Sequence, residues 1–163
     1  MAESRRITNK KIKISGMTDI EPQSGGGGNA YQYDRYKFIG GEDGFKVNIA
    51  FLRIPPKKAA LPLHYHGYAE KTFYIISGTG EPVSVGGEYE VRSGDIVFFP
   101  TGIGGAHKLI DGSDKEGLVY VDFDAYAPLD ITYYPGKDKI GIFGENYTGV
   151  LRMSGKVGLY EDE

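Results

Sequence analysis

No stretch of this chain repeats its apolar residues every three to four positions, so no amphipathic helix is predicted anywhere along it. Short runs rich in Val, Ile, Tyr and Phe recur instead, each closed by Gly, Pro or Asp, and that punctuation predicts an all-β chain. The runs cover 31–38, 46–54, 72–77, 83–85, 88–92, 96–99, 107–110 and 118–123, with further short strands over 130–134, 140–143 and 148–153. Evenly spaced short strands close into a sandwich or a barrel. In Val85-Gly86-Gly87-Glu88 two glycines are placed to take the positive φ of a two-residue hairpin loop. Ser24-Gly25-Gly26-Gly27-Gly28-Asn29 reads as a flexible hinge. It divides the chain into an amino-terminal arm over 1–30, a barrel over 31–125 and a carboxy-terminal extension over 126–163 that packs on the barrel.

At 163 residues the chain is about one domain long and can bury a core without staples. It has no Cys, which excludes disulfides, thiolate metal sites and a Cys nucleophile. Chemistry is left to imidazole, carboxylate, phenol and amine. Lys and Arg total 19 against 22 Asp and Glu, so the surface lacks the basic field that phosphate backbones require, and no nucleic-acid partner is expected. No apolar run reaches membrane-spanning length and the first residues carry no apolar leader core, so no membrane partner is expected and the protein reads as cytoplasmic.

Three histidines occur, His64, His66 and His107. Side chains alternate between the faces of a strand, so a His-x-His pair sends both imidazoles to one side, with Cα atoms about 6.6 Å apart. Two rings leaning inward can share an ion about 2 Å from each nitrogen. Taken singly, each histidine is more simply a surface or hydrogen-bonded interior residue; together they suggest one site. Gly102 to Gly105 read as loop geometry rather than a phosphate cradle, because no helix follows. Lys57 and Lys58, after Pro55-Pro56, read as a solvated turn. Tyr65 and Tyr68 read as packing residues near a pocket mouth. Arg53 shares strand parity with Val47, Ile49 and Phe51, and supplies a cation for an anionic ligand if that face is the interior.

The order of these blocks resembles that of the cupins. The first cupin motif has a glycine, two histidines one residue apart, a glutamate and a closing glycine, and His64, His66 and Gly78 match it. The second is matched by Gly94-Asp95-Ile96-Val97-Phe98-Phe99-Pro100-Thr101-Gly102, a glycine, five-residue spacer and Pro-x-Gly, followed by His107 as third histidine. The likeness covers roughly residues 45 to 125, and Tyr134-Pro135-Gly136-Lys137 resembles a subgroup of small single-domain cupins. It implies a double-stranded β-helix, or jelly-roll barrel, with His64, His66 and His107 holding a divalent transition metal. It further implies a small-molecule ligand or substrate and a homodimer, since the family pairs its barrels edge to edge and an open sheet edge needs covering.

Departures from the pattern matter as much. Four residues separate Gly102 from His107 where the general motif has two, and Asp111 stands in place of the usual asparagine. At the family's carboxylate position stands Lys71, with Glu70 one residue earlier. An ammonium about 5 Å from a divalent ion, at an effective dielectric near 20, is repelled by roughly 7 kcal/mol. Either a bulge turns Lys71 outward and lets Glu70 serve as fourth ligand, or Lys71 gives up its proton, or the site holds no divalent metal. Strand parity does not decide between them, since Phe73, Ile75 and Ser77 on one face balance Thr72, Tyr74 and Ile76 on the other.

Two functions follow. In the first, a metal-dependent enzyme acts on a small polar molecule by oxygenation or isomerisation, with His64, His66 and His107 as ligands and Glu70 as ligand or base. Imidazole with or without carboxylate suits Fe, Mn, Ni, Zn or Cu. In the second, Lys71 replaces the ion and captures an anionic sugar or carboxylate without catalysis. An inward Lys71 favours the second, an outward one the first.

Overall fold

A computed structural model describes residues 12–161 of the chain. Residues 1–11 of the expected arm lie outside the described residues. Strands β1 (Gln23–Gly27), β2 (Tyr31–Ile39), β3 (Val47–Ile54), β4 (Tyr65–His66), β5 (Lys71–Ser77) and β6 (Thr79–Ser84) come first. They are followed by β7 (Gly87–Glu88), β8 (Val91–Arg92), β9 (Ile96–Phe99), β10 (Lys108–Asp111) and β11 (Leu118–Ala125). The chain ends on β12 (Leu129–Tyr133), β13 (Ile140–Gly144) and β14 (Thr148–Leu151). Helical structure among the described residues is limited to single 3-10 turns.

The strands form a jelly roll: a six-stranded sheet in the order β1-β2-β3-β11-β5-β9 faces a smaller one in the order β10-β6-β7, with β8 also on β6. The core lies between them, made of Ala50, Leu52 and Ile54 from β3, Phe73 and Ile75 from β5, Leu118 and Tyr120 from β11, and Val91, Phe99 and Leu109 from the other strands. Those residues alternate along each strand with outward-facing ones, which is why the strands read so clearly in sequence. Each Val, Leu, Ile or Phe side chain among the core residues, fully buried, contributes about 1.5–3 kcal/mol.

Two segments depart from expectation. The glycine run is not slack: Gln23 to Gly27 pairs in register with Tyr31 to Arg35. A Cβ on Gly25 would sit 2.4 Å from the Tyr33 ring, so the small residues let that aromatic lie flat against the strand rather than loosening it. The hairpin after β6 turns at Val85 and Gly86, one residue earlier than predicted, because Gly87 already pairs with Ser84.

A third sheet, in the order β14-β13-β12-β4, is built mostly from the carboxy-terminal segment. Its pairing sets Thr132 opposite His66 and Tyr133 opposite Tyr65, so this segment reaches directly into the strand that carries the second histidine.

Candidate metal centre

His64 and His107 are partners in an antiparallel bridge, exchanging both backbone hydrogen bonds, His64 N to His107 O at 3.1 Å and His107 N to His64 O at 2.8 Å. Such directly opposed residues point their side chains to the same face. His66, two residues beyond His64, shares that face. The ring centroids accordingly lie 4.5 Å apart for His64 and His107, 5.0 Å for His64 and His66, and 6.1 Å for His66 and His107. One ring nitrogen from each comes within 4.8 Å of the others, a set able to hold one metal ion.

The four-residue loop before His107 is closed by a 3-10 turn over Ile103–Gly105. A Cβ on Gly105 would lie 1.8 Å from the Pro100 carbonyl oxygen, so the close approach that returns the chain to His107 requires glycine.

Each ring is turned by a bond to its other nitrogen. His64 Nδ1 donates to the Pro62 carbonyl at 2.8 Å, and His107 Nδ1 to the Gly105 carbonyl, also at 2.8 Å. Carbonyls only accept, so Nδ1 carries the proton and Nε2 of the neutral ring keeps its lone pair. His66 Nδ1 bonds Asp130 Oδ2 at 2.5 Å, while Asp130 Oδ1 accepts from the backbone of Tyr68 at 3.0 Å and Ala69 at 3.2 Å. Burial works against ionisation of Asp130, but the bond from His66 and those two amides outweigh it and hold the carboxyl below its usual range. That leaves His66 Nε2 buried with no partner among the described residues. An unpartnered ring nitrogen beside two others is the arrangement metal-ligating histidines present, each fixed by an acceptor behind it.

Burial pushes His64 down to about 3, with the two neighbouring histidines adding to the shift. Burial likewise pushes His107 down to about 4. Both rings are therefore neutral near pH 7, the form that binds metal.

Lys71 faces inward. It shares parity with Phe73 and Ile75, and its side chain is 12 % exposed. The bulge in β5 is the extra residue Ile76, opposite Val119/Tyr120, and the register around Lys71 is unbroken, so nothing turns it out. Glu70, the expected fourth ligand or base, is exposed and lies outside the histidine group, because the chain enters β5 at the next residue. Arg53 is likewise exposed: the interior of β3 is the face of Ala50, Leu52 and Ile54, opposite to the parity expected for it. Tyr65 stacks on Tyr133 with centroids 4.9 Å apart, a packing role, whereas Tyr68 is exposed.

Sequence reasoning missed the partners of Lys71. Its Nζ donates to Asp124 at 2.7 Å and to Asp122 at 3.4 Å. Asp124 lies directly across from Lys71 in the register and Asp122 across from Phe73. Burial alone would lower Lys71, but the two carboxylates outweigh it and keep the ammonium protonated. The repulsion expected from a lone cation is thus offset by two anions in direct contact with it. A narrow cavity of about 40 Å³ lies among Lys71, Asp122, His64, His107, Phe73 and Tyr120. It takes a few waters or the end of a small molecule, not a whole sugar.

Residues 50–123 match the family model described as Cupin domain. No curated protein matches the chain by sequence. Among solved structures, a cupin-superfamily sugar phosphate isomerase from Silicibacter pomeroyi is similar over 91 % of this chain and 98 % of its own, with TM-score 0.76 and 17 % identity. A protein assigned provisionally as a sugar phosphate isomerase from Acidithiobacillus ferrooxidans is 25 % identical over 78 % of this chain and 82 % of its own, TM-score 0.63. The polyketide cyclase RemF from Streptomyces resistomycificus is 21 % identical over 70 % and 79 %, TM-score 0.60.

Proposed function

We propose that the segment matching the cupin model, residues 50–123, carries a divalent transition-metal centre on His64, His66 and His107 that serves an enzyme acting on a small, oxygen-rich molecule. The observation that supports this most is the shared state of the three rings: every Nδ1 is engaged by an acceptor, so every Nε2 is left free. Three imidazoles without sulfur suit Fe, Mn, Ni, Zn or Cu, any of which supplies Lewis-acid or redox chemistry at a substrate oxygen. Asp130 holds His66 in orientation, and the carbonyls of Pro62 and Gly105 do the same for the other two rings. Lys71 reaches the same cavity with a protonated amine and is proposed as the group that donates a hydrogen bond or proton to the bound substrate's oxygen. Glu70, exposed, has no part in this reading.

Isomerisation is favoured over oxygenation, supported by the Acidithiobacillus protein, whose provisional assignment is sugar phosphate isomerase. The small cavity admits the reacting end of such a substrate and leaves the remainder at the mouth. Capture of an anion by Lys71 without metal is the weaker reading, because Asp122 and Asp124 already answer that ammonium's charge. A homodimer is part of the proposal.

Elemental analysis of protein purified without a histidine tag tests it. The expected result is about one transition-metal ion per chain, present as isolated or restored by added Fe(II), Mn, Ni or Zn, and lost in H107Q. Metal that stays far below that ratio after reconstitution overturns the enzyme reading.

A further inference from the structure

Lys71 brings one positive charge into the interior, and Asp122 and Asp124 bring two negative ones, all three side chains 12–13 % exposed. One ammonium cannot neutralise two carboxylates, and an unmatched anion away from water is strongly disfavoured. Each carboxylate also keeps an Oδ1 that is buried without a hydrogen-bond partner among the described residues. The surplus charge must be met by a proton or by a second cation.

The groups around the pair do not meet it. Lys71, from β5, is already counted. Arg35, from β2, acts on Asp122 through space but forms no ion pair with either carboxylate among the described residues. Tyr120, on the same strand, has its phenol pushed well up by burial and stays neutral, and His107 is neutral as well. Asn48, across from Asp124 on β3, is uncharged. The histidine group is different: Asp122 lines the same cavity as His64 and His107, so an ion on those rings faces the Asp122 carboxylate across it, with Asp124 joined to Asp122 through Lys71.

Resting on the metal-centre reading, we propose that Asp122 and Asp124 are its charge-balancing half, sharing one proton in the metal-free protein and releasing it when a divalent ion docks on His64, His66 and His107. The exchange is a proton out for part of the ion's charge in, with nothing oxidised or reduced. Two carboxyls this close cannot both ionise freely. In agreement, burial with Asp122 alongside pushes Asp124 up to about 7 against the pull of Lys71, while Lys71 overcomes burial to hold Asp122 low.

The test is calorimetric titration of Ni(II) into the metal-free full-length protein at pH 6.5, in two buffers of different ionisation enthalpy, so that protons released per ion are counted. Wild type is expected to release roughly one proton more than D124N, and D122N to lose the same proton. Infrared difference spectra of wild type, which need no variant to fold, are expected to lose the C=O band of a protonated carboxyl as Ni(II) is added. Equal proton release by wild type and a folded variant, or an unchanged infrared band on saturation, overturns the proposal while leaving the metal centre standing. Failure of wild type to bind Ni(II), and Fe(II), Mn and Zn in turn, removes both.

Discussion

Keeping two imidazoles neutral inside a protein makes its stability depend on pH in a fixed direction. His64 and His107 protonate near 6.5 when unfolded but only near 3 and 4 in the fold. Below about pH 6.5 the unfolded chain therefore binds more protons than the native one, and the stability these rings confer is fully present above that pH and lost as it falls towards 4. Asp124 acts oppositely: its carboxyl is raised from 3.8 to about 7, so it favours the fold at acid pH and withdraws that support as pH rises through 7. Two rings against one carboxyl leave a net loss on acidification, where each tenfold difference in proton affinity between fold and unfolded chain is worth at most about 1.4 kcal/mol. For the metal-free protein, urea midpoints are expected to fall steeply between pH 7 and pH 4, less so in H107Q and more so in D124N. A flat wild-type profile over that window would sink the assignment of neutral buried rings.

At the level of elements, the second histidine is oriented from outside its own sheet neighbourhood, since Asp130 sits on β12 and His66 on β4. D130A removes the acceptor for His66 Nδ1 and for two backbone amides, so metal retention against a chelator is expected to drop about 10- to 100-fold, with a stability loss of about 1–3 kcal/mol. Unaltered retention in a folded D130A protein would show that β12 does not orient the ring. Nothing near Asp130 in sequence marks it, because its partners are 61–64 residues away. The strands and the histidine convergence were legible for the opposite reason: alternation and His-x-His spacing are local patterns. The side taken by Lys71 was half legible. Leu118, Tyr120, Asp122 and Asp124 share one face of β11, so an acidic end to an apolar inner face is visible in sequence. That this end lies opposite Lys71 is a fact of register across some fifty residues, which no local pattern encodes. The glycine run misled because a strand flattened against Tyr33 and a slack hinge share one composition.

For the whole molecule, the site closes from two sides, by the jelly roll and by the carboxy-terminal sheet, while another face stays uncovered. No helix among the described residues is long and apolar enough to cross a membrane, so that face is not explained by such a span. It is the outer side of β5, β9 and β11, where Ile96 is 68 % and Phe98 55 % exposed beside Tyr74 and Phe123. The register places Tyr74 across from Ile96 and Thr72 between Phe98 and Phe123, so these apolar groups form one continuous strip. β9 ends its sheet with one edge unpaired among the described residues, and an apolar edge strand left open is a site of self-association unless something covers it. A second copy is the covering the proposed homodimer supplies, with a two-fold contact bringing the same strip from each chain together. Sedimentation velocity is expected to show a dimer for the wild type and a monomer for F98E, whose charge would be buried unpaired at the centre of that contact. A wild type that sediments as a monomer at tens of micromolar, or a dimer indifferent to F98E and I96K together, would leave this strip without its proposed partner.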